Sequence, residues 1–114
     1  MEQKFEHDGK KLYIYLSEAT QCGKRLLLAI AYSVEKPQRG IYFIQPDKYY
    51  PHKPTQVWTQ GEDEDSRYWF PCFDYPGQLS TSEIRIRVPK PLMAISNGEL
   101  IDTLEDGNHQ IYHW

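Results

Sequence analysis

Apolar residues recur with a period of two along much of this chain, the spacing that sends alternate side chains to opposite faces of a β-strand. In Lys11–Leu16, Leu12, Ile14 and Leu16 face one way while Tyr13 and Tyr15 face the other. Gly40–Ile44 alternates Tyr42 and Ile44 against Ile41 and Phe43. Near the C-terminus, Ile84, Ile86 and Val88 share one face and Arg85 and Arg87 take the other, the pattern of an antiparallel strand wet on one side. The strongest run is Lys24–Val34, where Leu26, Leu28, Ile30, Tyr32 and Val34 alternate with Leu27, Ala29 and Ala31. Because both sets are apolar, this stretch predicts a central strand covered on both faces. A helix is the alternative, since Leu, Ala and Lys are good helix formers, but Gly23 and Pro37 bracket a length short for one.

Between these runs the chain carries breakers. Pro46, Pro51 and Pro54 make Gln45–Thr55 an irregular connection, because proline fixes φ and lacks an N–H. Val57–Gly77 is dense and least periodic, with Asp63, Glu64 and Asp65 beside Tyr68, Trp69, Phe70 and Phe73. After it, Leu92–Ser96 and Glu99–Leu104 flank Asn97-Gly98, and Asp106-Gly107 precedes His109–Trp114. Both dipeptides supply the positive φ of tight hairpins, so the C-terminal third predicts a β-meander. The fold class expected is all-β, built of antiparallel sheets.

Composition narrows the function classes. At 114 residues the expectation is one domain, burying roughly two-thirds of the surface its unfolded form exposes. A net charge of −3 lacks the basic footprint of a nucleic-acid binder. The longest fully apolar run, Leu26–Tyr32, is far short of the roughly 20 residues a membrane span needs. No charged-then-apolar leader opens the chain, so a cytoplasmic protein with neither nucleic-acid nor membrane partners is expected. Cys22 and Cys72 predict two reduced, largely buried thiols rather than a disulfide scaffold.

Candidate chemistry is sparse. His109-Gln110-Ile111-Tyr112-His113 has the histidine spacing of a helical zinc motif, but on a strand it separates the rings by roughly 13 Å. Its general-base position holds a glutamine, which cannot take and return a proton. These histidines are expected to face solvent on an edge hairpin. The acidic run Glu62–Asp65 lacks calcium-loop spacing and predicts a solvated loop. No glycine-rich phosphate cradle or G-x-S-x-G elbow is present. Residue types alone stop at a mostly β protein with no catalytic set.

One block goes further. Thr59-Gln60-Gly61-Glu62 followed by Arg67-Tyr68-Trp69-Phe70-Pro71-Cys72-Phe73-Asp74-Tyr75-Pro76 resembles the T-Q-x-E and R-x-x-F-P-C-F-D-x-P elements of the M1 zinc aminopeptidases. Pro89-Lys90 and Ala94-Ile95-Ser96-Asn97-Gly98 continue it in order, so the resemblance is specific from about Val57 to Leu100 and only compatible before that. It implies that residues 1–114 are part of the N-terminal, saddle-like β-sandwich domain of a much longer protein. The family's G-A-M-E-N motif, H-E-x-x-H helix and downstream glutamate ligand are absent here, as are the saddle's opening and closing strands. Zinc and the general base would therefore come from a catalytic domain elsewhere in the parent, and this piece alone would hold no metal and be inactive.

Carried over residue by residue, the resemblance makes Gln60 a lining residue of the pocket for the substrate's first side chain. It makes Glu62 a holder of the free α-amino group. Two apart on an extended segment, they would share a face, with Gly61 permitting close approach between them. Arg67, Pro71, Asp74 and Pro76 would be structural, Arg67 and Asp74 pairing beneath the loop. The implied partners are a peptide substrate and the parent's own catalytic domain, with self-association through exposed strand edges as a further expectation. Two other readings stand beside this one: a non-catalytic M1-like interaction module, and an unrelated β-sandwich binding module.

Overall fold

The structure, a computed structural model, describes residues 2–114. They are β-strands and irregular connections, with a single 3₁₀ turn at Ser66–Tyr68 and no α-helix among the described residues. The all-β, antiparallel expectation is met. The contacts divide the chain into two units, one ending at Gln78 and one spanning Leu79–Trp114.

The first unit holds two hairpins. Strand β1 (Lys4–His7) pairs with β2 (Leu12–Tyr15) in antiparallel register, His7 opposite Leu12. Its loop closes on Asp8, whose Oδ1 accepts the backbone N–H groups of Lys10 and Lys11 at 2.8 and 2.7 Å. Leu12 and Ile14 are half-buried and Tyr13 and Tyr15 exposed, as the alternation predicts. Strand β3 (Ile41–Ile44) pairs with β4 (Gln56–Thr59), placing Tyr42 opposite Trp58, and their rings stack at 4.3 Å and 18°. Such cross-strand aromatic pairs help fix register. The proline-bearing connection between them is irregular, as expected. Asp47 organises it, accepting N–H bonds from Tyr49 and Tyr50 and meeting Lys53 Nζ at 2.7 Å. The first three residues of the stretch read as aperiodic, Val57, Trp58 and Thr59, turn out to be strand.

The second unit is one three-stranded antiparallel sheet of β5 (Arg85–Pro89), β6 (Asp102–Asp106) and β7 (His109–His113) in the order β5-β7-β6. A simple meander would have run in chain order, so that expectation is corrected. The hairpin expected at Asn97-Gly98 does not form: Gly98 takes φ +94°, but Leu92–Ser96 forms no strand and β5 pairs with β7 instead. The C-terminal hairpin does form, shifted by one residue. Asp106 pairs with His109, leaving Gly107-Asn108 as a two-residue loop whose glycine, at φ +56°, occupies the first central position, as in a type II′ turn. Ile86, Tyr112 and Thr103 lie side by side on one face, and Tyr112 is the buried centre of the unit at 7% exposure. On the opposite face Arg87 Nε meets Asp106 Oδ2 at 2.6 Å, joining the two outer strands across the middle one.

Two larger corrections concern burial. Lys24–Val34 forms no strand, because no strand among the described residues offers its backbone a ladder. Leu26, Leu27, Leu28, Ile30, Tyr32 and Val34 are exposed, Leu27 at 96%. The chain as a whole exposes 10756 Å² at 13.5 kDa, where a compact folded protein of that mass exposes about 6,500 Å². It thus buries about 45% of its unfolded surface rather than the two-thirds expected of a self-sufficient domain. Cys22 and Cys72 are free, as expected, but exposed rather than buried, Cys72 being only partly desolvated by its neighbours.

The tie across the second unit gives a pH prediction. The Arg87 guanidinium, through its hydrogen bond first and its charge second, lowers the Asp106 carboxyl below its ordinary 3.8. A pKa lowered on folding contributes stability above the unfolded value and loses it as pH falls toward the folded one. The sheet's circular dichroism signal should weaken below about pH 4, and Asp106→Asn should flatten that part of the titration. Identical acid profiles would contradict the role of the pair.

Candidate substrate N-terminus site

The block Thr59–Pro76 lies wholly in the first unit, where β4 leaves its hairpin and turns back. The ladder runs one step beyond the strands: the Gln60 N–H donates to the Gly40 carbonyl at 3.0 Å. From Glu62 to Asp65 the backbone turns, closed by the Asp65 N–H donating to the Gly61 carbonyl at 3.0 Å, and then enters the 3₁₀ turn. Glu62 therefore sits in a turn, and the extended geometry invoked to align it with Gln60 stops before it. The reason is local: the Gly61–Asp65 bond curls the backbone out of the strand.

Below the turn Arg67 gathers the segment. Its backbone N–H and its Nε both donate to Asp74 Oδ2 at 3.0 Å, and Nη2 donates to the Asp74 carbonyl at 2.9 Å and to Glu64 Oε2 at 2.7 Å. The expected Arg67–Asp74 pair is present, and Asp74 is its more covered partner, 11% exposed against 44%. Asp74, ahead of Glu64, raises the Arg67 pKa above its ordinary value. This fixed fork is what a lysine could not reproduce. Nearby, burial pushes the Cys72 thiol up and the Asp74 charge adds to it, which disfavours the nucleophilic thiolate.

These contacts divide the acidic run. Glu64 is engaged by Arg67, and Asp65 lies 3.8 Å from Arg39 Nη1. Glu62 is exposed, and its carboxylate meets no cation or donor among the described residues. The Gln60 amide is likewise exposed and unengaged. Asp63 is also exposed and unengaged, so the arrangement offers two uncommitted carboxylates and an uncommitted amide on a turn whose backbone is tied at both ends. That set suits recognition of an ammonium group and does not by itself supply acid–base or nucleophilic catalysis. Close approach at Gly61 comes from this chain itself, since a Cβ there would strike Ser66 Oγ.

The histidines do not form a metal site. His109 and His113 lie on β7, the central strand of its sheet rather than an edge, and His113 Nε2 is 2.7 Å from Glu83 Oε1. Among the described residues no three His, Cys, Asp or Glu side chains are grouped so as to hold a metal ion. No set of the described residues fits the zinc of an M1 enzyme. An open cleft in the second unit is lined by Ser82, Glu83, Asn97, Glu99 and Trp114, but Glu83 is engaged by His113 and Arg85 and does not hydrogen-bond the Ser82 hydroxyl. No helix among the described residues is long and apolar enough to cross a membrane.

The sequence profile of the Peptidase M1 N-terminal domain matches residues 1–114. The chain belongs to that family, the N-terminal domains of M1 peptidases. It is 30% identical over 95 residues to transcription initiation factor TFIID subunit 2 of Danio rerio, covering 80% of this chain and 8% of that protein. It is 31% identical over 98 residues to aminopeptidase B of Mus musculus, covering 85% of this chain and 15% of the relative. With aminopeptidase M1 of Arabidopsis thaliana it shares 37% identity over 59 residues, 52% of this chain and 7% of the relative. The chain thus spans less than a sixth of the length of each of these relatives. No solved structure matches it.

Proposed function

We propose that residues 1–114 are part of the N-terminal β domain of a cytoplasmic metallo-aminopeptidase, and that this part binds the free N-terminus of a peptide substrate. The observation that carries the reading is the uncommitted Glu62 carboxylate on the tied Gln60–Asp65 turn, in a chain of the M1 peptidase family. Glu62 would accept hydrogen bonds from the substrate's α-ammonium group, and Gln60 would line the pocket of its first side chain. A charge-assisted bond of this kind contributes about 1.5–3 kcal/mol once partly withdrawn from water. An anchor one residue from the scissile bond selects removal of single N-terminal residues over internal cleavage. Zinc would be held by a catalytic domain of the same polypeptide, outside this chain, and would there supply the activated water.

A second reading, a non-catalytic M1-like protein–protein interaction module, draws on the likeness to a transcription initiation factor subunit. The surface left uncovered suits either reading. Purified full-length protein separates them: the aminopeptidase reading expects about one equivalent of zinc and hydrolysis of aminoacyl amides, both lost on chelation. The 114-residue chain alone is expected to show neither. Full-length protein without zinc or activity would favour the interaction module.

A further inference from the structure

Two glycines sit where the recognition turn meets the rest of its unit, and neither is required by the turn alone. Gly40 is buried at φ +82°, a conformation that costs an L-residue strain. Its carbonyl receives the Gln60 N–H at 3.0 Å, while its open face seats the far end of the turn. A Cβ there would strike the Asp65 carbonyl and stand 2.9 Å from Trp69 Cδ1. Gly40 thus touches both ends of the Gln60–Asp65 excursion at once. Gly61 has no left-handed φ, so conformational freedom does not explain it. What a Cβ would meet there is Ser66 Oγ, with Ser66 Cβ at an ordinary 3.7 Å.

We propose that Gly40 and Gly61 are positioning residues for Glu62: by omitting its Cβ, Gly40 lets Asp65 and Trp69 close against it, and Gly61 lets the turn close on Ser66, so that together they set where the Glu62 carboxylate stands. This rests on the reading of Glu62 as the α-ammonium anchor and goes beyond it, since neither glycine would touch substrate. The contacts predict different responses. Ser66 Oγ is one atom on a short side chain, so the Gly61 collision can be relieved by removing it. The Gly40 collision is with backbone and cannot be relieved that way.

The test is the affinity ratio of two competitive inhibitors of the full-length enzyme, leucinol and 4-methylpentan-1-ol, which carry no hydrolysable amide and differ only in the α-amino group. Gly61→Ala and Gly40→Ala should each shrink the wild-type ratio at least about threefold, and Gly61→Ala with Ser66→Ala should return it to that of Ser66→Ala alone. Gly40→Ala with Ser66→Ala should not recover. Gly98→Ala is the control, because Gly98 has a comparable φ of +94° with no atom within 4 Å of its added Cβ, and it should leave the ratio unchanged. Should Gly61→Ala fail to accumulate, recovery of folded enzyme with the Ser66→Ala ratio in the double variant supports the same contact, and no recovery overturns it. Equal loss of affinity for both inhibitors in the glycine variants would mean a merely structural role and overturn the proposal. If Glu62→Ala collapses the ratio while both glycine variants preserve it, the proposal fails and the reading of Glu62 stands. If Glu62→Ala also leaves it intact, that reading fails too.

Discussion

Isolated in solution, the 114-residue chain is expected to associate with itself and to bind hydrophobic dyes strongly rather than behave as a stable monomer. The cause is the surface it leaves open. Leu26–Val34 presents apolar side chains on alternate positions and has no ladder partner among the described residues, while Phe73, Leu79 and Ile95 are at least 80% exposed. The outer strands β5 and β6 also leave one edge each unpaired. An unpaired, flat, apolar segment is a template for pairing with another chain. Sedimentation velocity should show mass-average size rising with concentration. Leu28→Lys with Ile30→Lys, which places charge on the segment, should shift the sample toward monomer. A monodisperse wild-type monomer with a sharp cooperative melt would contradict this account of the surface.

The same segment shows where sequence reading ends. Ile84, Ile86 and Val88 were legible because one face of their sheet is covered within this chain, so the period of two maps onto a real inside and outside. In Lys24–Val34 the same period is stronger, yet it encodes neighbours that these residues do not supply, and the backbone forms no strand. Strand β1 escaped notice because Lys4, Glu6 and His7 surround a single apolar residue, Phe5, leaving no alternation to read. The order β5-β7-β6 was illegible for another reason. Asn97-Gly98 announces a local hairpin, but pairing is settled by non-local competition, and β7 wins β5 as a partner.

The site was legible unevenly. Gln60 and Glu62 were named from family resemblance, because nothing in an acidic run distinguishes one carboxylate from the next. The structure narrows the choice by engaging Glu64 and Asp65 with Arg67 and Arg39 and leaving Glu62 and Asp63 open, and the family resemblance selects Glu62 of the two. Arg67 and Asp74 were paired in advance on the same resemblance, and the structure joins them at 3.0 Å. Gly40 had no signal: its importance lies in contacts with Asp65 and Trp69, some 25 residues on.

The central claim is that Glu62 holds the substrate's ammonium group, and it has a direct test. A charge-assisted hydrogen bond of about 1.5–3 kcal/mol corresponds to roughly a 10- to 150-fold effect. Glu62 has no cation or donor partner among the described residues, so its truncation should leave no buried charge unpaired in this unit and little structural penalty. In the full-length protein, on the proposed aminopeptidase reading, Glu62→Ala should therefore lower kcat/KM for free-amino substrates at least about tenfold with folding unchanged. Kinetics indistinguishable from wild type would remove Glu62 from the site and leave this turn without the role assigned to it.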